Sequence, residues 1–292
     1  MKLLFTIITI FLFSPILSKA QDRVTRAQQL TCGCLDSLKA LPFKTRTDSC
    51  FSKSIATAML EGSKKGEKIF STVEGIRGYM AVVKKAVYDN CPDFRQAYNE
   101  NAYNAFDSLS ANEQANDFYR SGNKLLTAEK YDEAIPYYEK ALKLDPKFLF
   151  ATDNLAVCYR KKSDYTTALK YYQKSLAIFP AANMALLNTA VAYSLNKNND
   201  EALNYYAKLR YYYPNDPEGY FGVAKMCAFS GKYEEALDNV FTAHKLYANA
   251  QSPYLKDSNT LVTYIYQQMK EKNMLQLFNN KAKQYNININ SN

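Results

Sequence analysis

The stretch YDEAIPYYEKALKLDP, residues 131–146, recurs along the chain. YTTALKYYQKSLAIFP (165–180) aligns with it, NDEALNYYAKLRYYYP (199–214) follows, and KYEEALDNVFTAHKLY (232–247) is the fourth copy. The central alanines Ala134, Ala168, Ala202 and Ala236 fall 34 residues apart. Pro146, Pro180 and Pro214 keep the same interval, and Ala248 stands where the fourth proline would fall. A fixed period of this length identifies an array of stacked units, and it decides the fold before any single element is considered.

Residues 115–250 resemble the tetratricopeptide repeat, a helix, a tight turn and a second antiparallel helix, with units at 115–148, 149–182, 183–216 and 217–250. Gly122, Ala156, Ala190 and Ala224 occupy the family's small position in the first helix, and Ala134 and its equivalents the small position in the second. Small residues there let helices approach closely. Tyr138, Tyr172 and Tyr206 fill the aromatic slot, and Val240 departs from it. Pro146 and its equivalents end the second helix, which a proline cannot continue. Pro136 is tolerated if Asp132 caps its helix, because the first turn lacks intrahelical partners for its N–H groups anyway. The resemblance implies an all-α chain: a right-handed superhelix, or α-solenoid, of about four helix pairs. One pair cannot bury its apolar faces alone, so stacking supplies the core. Residues 251–285 read as a degenerate repeat that caps the array, with Leu261, Tyr264, Ile265 and Met269, then Met274, Leu277 and Phe278, at helical spacing. The tail at 286–292 reads as polar and loose.

Proteins of this family hold peptides on the concave face lined by the first helices. The matching positions are Tyr119 and Asn123; Asp153, Asn154, Val157 and Arg160; Leu187, Asn188 and Val191; and Phe221 and Lys225. Some members clamp a C-terminal carboxylate with Lys, Asn and Arg. Asn123 and Asn154 match the two Asn positions, but Tyr119, Met184 and Asn188 stand where cations would be. A carboxylate desolvated without those cations is poorly compensated. The expected occupant is a protein or peptide segment of another kind.

The first 20 residues stand apart: Lys2, a mostly apolar run to Leu17, then Ser18-Lys19-Ala20. That is the pattern of a secretory signal cleaved after Ala20, the run being too short for a membrane anchor. The chain carries +9, and the leader holds two lysines and no acid, so the remainder carries +7. The excess is spread over both halves, unlike the concentrated basic face of a nucleic-acid binder. The expected location is periplasmic or secreted, with no stable membrane anchor after cleavage.

Residues 21–98 show no repeat and read as a small helical domain, with helices near 24–39, 48–61 and 69–90 and a stripe at Ile76, Met80, Val83 and Val87. Residues 99–114 read as a linker. Cys32, Cys34, Cys50 and Cys91 form an even set in a small exported domain, which reads as a disulfide framework. A bond between Cys32 and Cys34 closes too short a ring, so each is expected to reach Cys50 or Cys91, in an order the sequence leaves open. The segment resembles the head of exported proteins from Gram-negative bacteria, a resemblance with no function attached. Cys158 and Cys227 fall on first helices two repeats apart, at least about 16 Å apart, too far to bridge.

Little points to catalysis. His244 is the single histidine, on a second helix, and the nine glycines form no phosphate cradle. The cysteine spacing suits no usual zinc site, and no metal or cofactor is expected. The favoured reading is a non-enzymatic, exported interaction module of a bacterial envelope complex. The alternative is a thiol–disulfide oxidoreductase centred on Cys32 and Cys34, although Asp36 beside them opposes a lowered thiol pKa. A glycan-binding tyrosine surface ranks third, because most repeat tyrosines occupy packing slots.

Overall fold

The computed structural model describes residues 15–64, 70, 72–106 and 109–287. Most of the leader (1–14) and most of the tail (288–292) therefore lie outside the described residues. Fourteen helices and no strand occur among the described residues. The chain divides into two compact units, Met1–Arg95 and Gln96–Asn292.

The first unit contains α1 (Pro15–Ser37), α2 (Phe43–Lys64), α3 (Val73–Asn90) and the start of α4 (Pro92–Phe106). Thr72 opens α3, its side chain accepting from the Gly75 N–H at 3.0 Å. Proline opens α4, where its missing N–H costs nothing. Tyr79, Val83 and Val87 form the buried stripe of α3. Ile76 and Met80, expected in that stripe, lie half-buried at its edge, because the i, i+4, i+8 line passes through Tyr79. Phe94 packs against Phe43 (5.7 Å between centroids) and Phe51 (5.8 Å).

Cys32 bonds to Cys91 and Cys34 to Cys50. Both members of the Cys-Gly-Cys pair lie on α1, where residues two apart point about 200° around the helix from one another. They therefore diverge. One staples α1 to α2 and the other staples it to the junction of α3 and α4.

The second unit contains the helix pairs α5 (Glu113–Thr127) and α6 (Tyr131–Leu144), α7 (Leu149–Lys161) and α8 (Tyr165–Ile178), α9 (Asn183–Leu195) and α10 (Asn199–Tyr212), and α11 (Pro217–Phe229) and α12 (Tyr233–Asn249). The pair α13 (Leu255–Glu271) and α14 (Leu275–Gln284) caps the array, burying Leu261, Ile265, Met269 and Phe278 against α12. Tyr138, Tyr172 and Tyr206 are buried in their slots. The fourth repeat packs closest: a Cβ at Gly219 would stand 2.5 Å from the Arg210 backbone nitrogen, and one at Gly222 2.1 Å from the Tyr206 ring. Only glycine admits α11 that near to α10.

Each turn inside a repeat ends its first helix in the same way. Glu129, Ser163, Lys197 and Gly231 adopt positive φ (58°, 64°, 60° and 73°), one per period. The N–H groups of Lys130, Asp164, Asn198 and Lys232 then reach back to the carbonyls of Leu125, Tyr159, Tyr193 and Cys227, each at 2.9 Å. This is a left-handed helix stop that satisfies otherwise orphaned carbonyls. Three of the four stops use a residue other than glycine.

Two expectations are corrected. The N-cap of α6 is Lys130, so Pro136 sits inside the helix, beyond the first turn. Asp132 does not cap; its carboxylate pairs with Lys162 on the next repeat instead. The segment 99–114 is no simple linker, because α4 runs to Phe106. Its later half is tied into the second unit: the Gln96 Oε1 accepts from the Asn215 N–H (2.8 Å), and Asn99 donates to the Tyr212 carbonyl (3.3 Å). The Tyr103 ring packs near Phe150 (6.3 Å) and Phe179 (5.8 Å). Positions 96, 99 and 103 share one helical face, which is why this half of α4 packs.

Candidate functional site

Consecutive first helices touch one another: α5 meets α7, α7 meets α9, α9 meets α11 and α11 meets α13. Among the described second helices, only the last pair, α12 and α14, does so to that degree or more. The array therefore curves with its first helices inside.

Along that inner layer the expected residues divide into three groups. The first is an amide bridge. The Asn154 side chain donates to Asn123 Oδ1 (2.8 Å), which also accepts from the Tyr138 hydroxyl (2.7 Å). Tyr119 packs beside it on Phe148 (4.9 Å) and Phe150 (6.3 Å). The second is a half-buried apolar line. Val157, Leu187, Val191 and Phe221 sit at the margins of the core clusters, and Phe221 meets Tyr247 edge-on at 6.2 Å. Lys225 closes this line, its ammonium 5.9 Å from the Phe229 ring.

The third group faces inward. Asn188 is buried and donates to the Met184 carbonyl of its own helix (2.9 Å). Asp153 is only 5% exposed, and neither carboxylate oxygen has a hydrogen-bond partner. The Ser175 Oγ, the Tyr172 hydroxyl and the Arg160 Nε are likewise buried and without partners. Burial pushes the Asp153 carboxyl up to about 7, and the nearby Ser175 hydroxyl pulls it back in part although the geometry falls short of a hydrogen bond. Burial raises the Tyr172 phenol to about 12 against the pull of the Arg160 guanidinium.

Sequence reading missed several features. Met184 (49% exposed), Leu195 (49%) and Phe229 (55%) present apolar surface on α9 and α11. Tyr172 and Ser175 belong with Asp153 although they lie on the second helix of the repeat. A further cavity of about 660 Å³, lined by Arg210, Glu235, Asp238, Asn239, Met274 and Leu277, opens among α10, α12 and α14.

His244 has a serine neighbour, with Nδ1 at 3.1 Å from Ser258 Oγ. That hydroxyl already donates to the Leu255 carbonyl at 2.7 Å. Its proton is therefore committed, Nδ1–H is the donor, and Ser258 is not an activated nucleophile. Cys158 and Cys227 are buried free thiols, each raised by burial to about 11. No described helix is long and apolar enough to cross a membrane.

A family model described as "Tetratricopeptide repeat" matches residues 119–183 and 155–217. Among solved structures, the chain is similar to MamA (residues 41 to the end) from Desulfovibrio magneticus RS-1, at 15% identity over 60% of this chain and 96% of that one, TM-score 0.49. It is also similar to TTC0263, a thermophilic TPR protein of Thermus thermophilus, at 18% identity over 58% and 97%, TM-score 0.40. A third is YrrB, described as a TPR protein with an unusual peptide-binding site, at 20% identity over 56% and 90%, TM-score 0.39.

Proposed function

From the premise that this chain is a tetratricopeptide-repeat protein, we propose that it works outside the cytoplasm as a non-enzymatic module, holding a peptide segment of a protein partner against its first-helix layer. One observation carries the reading: the first-helix layer bears the Asn123–Asn154 bridge, the half-buried Val157, Leu187, Val191 and Phe221, and Lys225. Amides at one end can pair with a peptide backbone, and the apolar middle can take alternate side chains. The leader-like residues 1–20 and the two disulfides support export, since such bonds persist in oxidising compartments. A bacterial envelope complex is the setting this reading favours.

The test is affinity capture. Residues 21–292 are immobilised and exposed to detergent-solubilised envelope from the source organism, beside a variant carrying Asn154→Ala, Leu187→Ala and Phe221→Ala. Interface anchors cost more than about 1 kcal/mol each on truncation, so the folded triple variant is expected to lose partner affinity at least tenfold. A partner retained equally by both proteins would remove the first-helix face as the site.

A further inference from the structure

At three positions the second repeat carries a polar residue where the others are chiefly apolar or aromatic. Asp153 stands where the other repeats have Tyr119, Leu187 and Phe221. Ser175 stands where they have Ala141, Leu209 and Ala243, and Arg160 where they have Leu126, Ser194 and Ala228. The Tyr172 slot differs in environment as well. Tyr138 bonds to Asn123, whereas the residue one period after Asn123 is Val157, and the Tyr172 hydroxyl is left without a partner. Four polar groups thus gather in one repeat, where the others are chiefly apolar, and none of the atoms named above has a partner.

Among the described residues, no charged group of the neighbouring elements acts on the Asp153 carboxyl. On the elements packed against α7, Tyr119 of α5 turns to Asn154, and Tyr138 of α6 to Asn123. Asp132 of α6 holds Lys162, and Glu139 of α6 acts on Tyr159 and Tyr171. Tyr193, the titratable residue of α9, stacks on Tyr205. What faces Asp153 is Ser175 and Tyr172 of α8, and the Arg160 guanidinium of its own helix acts on that same Tyr172. A protonated carboxyl tolerates this seat, whereas an ionised one without a counter-ion does not. The counter-ion is one side-chain movement away. Arg160 lies seven residues from Asp153, and at that same spacing on α5 Arg120 pairs with Glu113 at 2.9 Å.

We propose that Asp153 is a proton-operated latch of the second repeat: protonated, it stays inside beside Ser175 and Tyr172; ionised, it leaves that seat and takes Arg160 as its partner. Arg160 belongs to the inner layer, so the latch changes the charge pattern there. The inference goes beyond the peptide-holding role and needs no partner for its test.

The sign follows from linkage. The folded chain keeps the Asp153 proton to higher pH than the unfolded chain, whose carboxyl has its ordinary value of 3.8. Between those values the folded state binds more protons, so stability falls as pH rises and levels off past neutrality. Asp216 and Glu218, also raised by burial, act in the same direction. The readout is therefore a difference between variants. Hydrogen-exchange protection of α7 and α8 amides, expressed as protection factors, is measured at pH 5 and pH 8 on the full chain. The wild type is expected to lose at least tenfold more protection across that interval than the near-isosteric Asp153→Asn. Arg160→Gln is expected to lower protection more at pH 8 than at pH 5. Equal pH dependence in wild type and Asp153→Asn, or an Arg160→Gln effect independent of pH, would overturn the latch. If Asp153→Asn fails to fold, the carboxyl carbon of Asp153 in the wild type decides by NMR titration. A midpoint above about 6 supports the latch, and one at or below about 6 ends it.

Discussion

Reduction of the two disulfides is expected to unfold the first unit while the repeat array stays protected. The Cys32–Cys91 bond closes a separation of 59 residues and the Cys34–Cys50 bond one of 16. On a chain-entropy basis, bonds closing such loops stabilise by roughly 4 and roughly 3 kcal/mol. A domain of this size holds only about 3–5 kcal/mol from its core, so the staples are comparable to everything else that keeps it folded. The remaining core is modest: Ala27 and Leu35 on α1, Phe51, Ile55 and Ala58 on α2, Phe70, one stripe on α3, and Phe94 at the start of α4. Hydrogen exchange followed by mass spectrometry, with and without reductant at neutral pH, should show α1, α2 and α3 losing protection and α5 to α12 keeping theirs. Cys34→Ser alone should cost the smaller amount. Unchanged protection of α1 to α3 after complete reduction would refute the staple role.

Phe241→Ala is expected to destabilise the far end of the array by about 3–5 kcal/mol. Its ring is fully buried on α12 and packs against Phe278 at 6.0 Å and Tyr285 at 5.7 Å. Phe278 in turn meets Tyr266 at 5.1 Å. These rings join the last full repeat to a cap that lacks the small residues and prolines of the repeats. Deleting Phe241 leaves a void that helices on both sides would have to fill. Repeat arrays behave as chains of nearest-neighbour contacts, so the loss should be local: α13 and α14 exchange early while α5 to α8 are little affected. A uniform drop in protection along the array would contradict that picture.

The repeat array was legible because its chemistry is periodic. Ala134 and its equivalents report a close approach every 34 residues, displayed four times, and Tyr138 and its equivalents display their slot three times. The turns were less legible. Glu129, Ser163 and Lys197 carry left-handed backbone that glycine alone would have announced. The N-cap of α6 lies two residues before the expected Asp132: an acidic residue near a helix start invites a capping role that Asp132, paired with Lys162, does not play. In the first unit the cysteines were recognisable as a framework, with Cys32 and Cys34 on one helix, but their order depended on which side of α1 meets α2 and which meets the junction of α3 and α4. The helical path of α4 past residue 99 was hidden because Gln96, Asn99 and Tyr103 are polar or amphipathic residues that pack through specific partners. At the candidate site, the register of first-helix positions could be carried across from the repeat, but which side chains turn inward could not. Asp153 and Asn188 are buried where open positions were expected. A signal did exist: reading down the columns at 153 and 175, one carboxyl and one hydroxyl interrupt apolar or aromatic series.

The buried tyrosine slots make the array optically distinctive. The chain has 25 tyrosines and no tryptophan, so its near-ultraviolet absorbance and its emission are dominated by phenol rings. Burial raises the phenols of Tyr172 and Tyr206 to about 12, and those of Tyr138 and Tyr247 higher still. Phenols at the surface turn to phenolate near their usual value of about 10, while these four turn later. Phenolate absorbance during an alkaline titration therefore separates into an early fraction from the surface and a late fraction from the buried rings. The late fraction is a built-in gauge of how many repeats remain assembled, without any attached label.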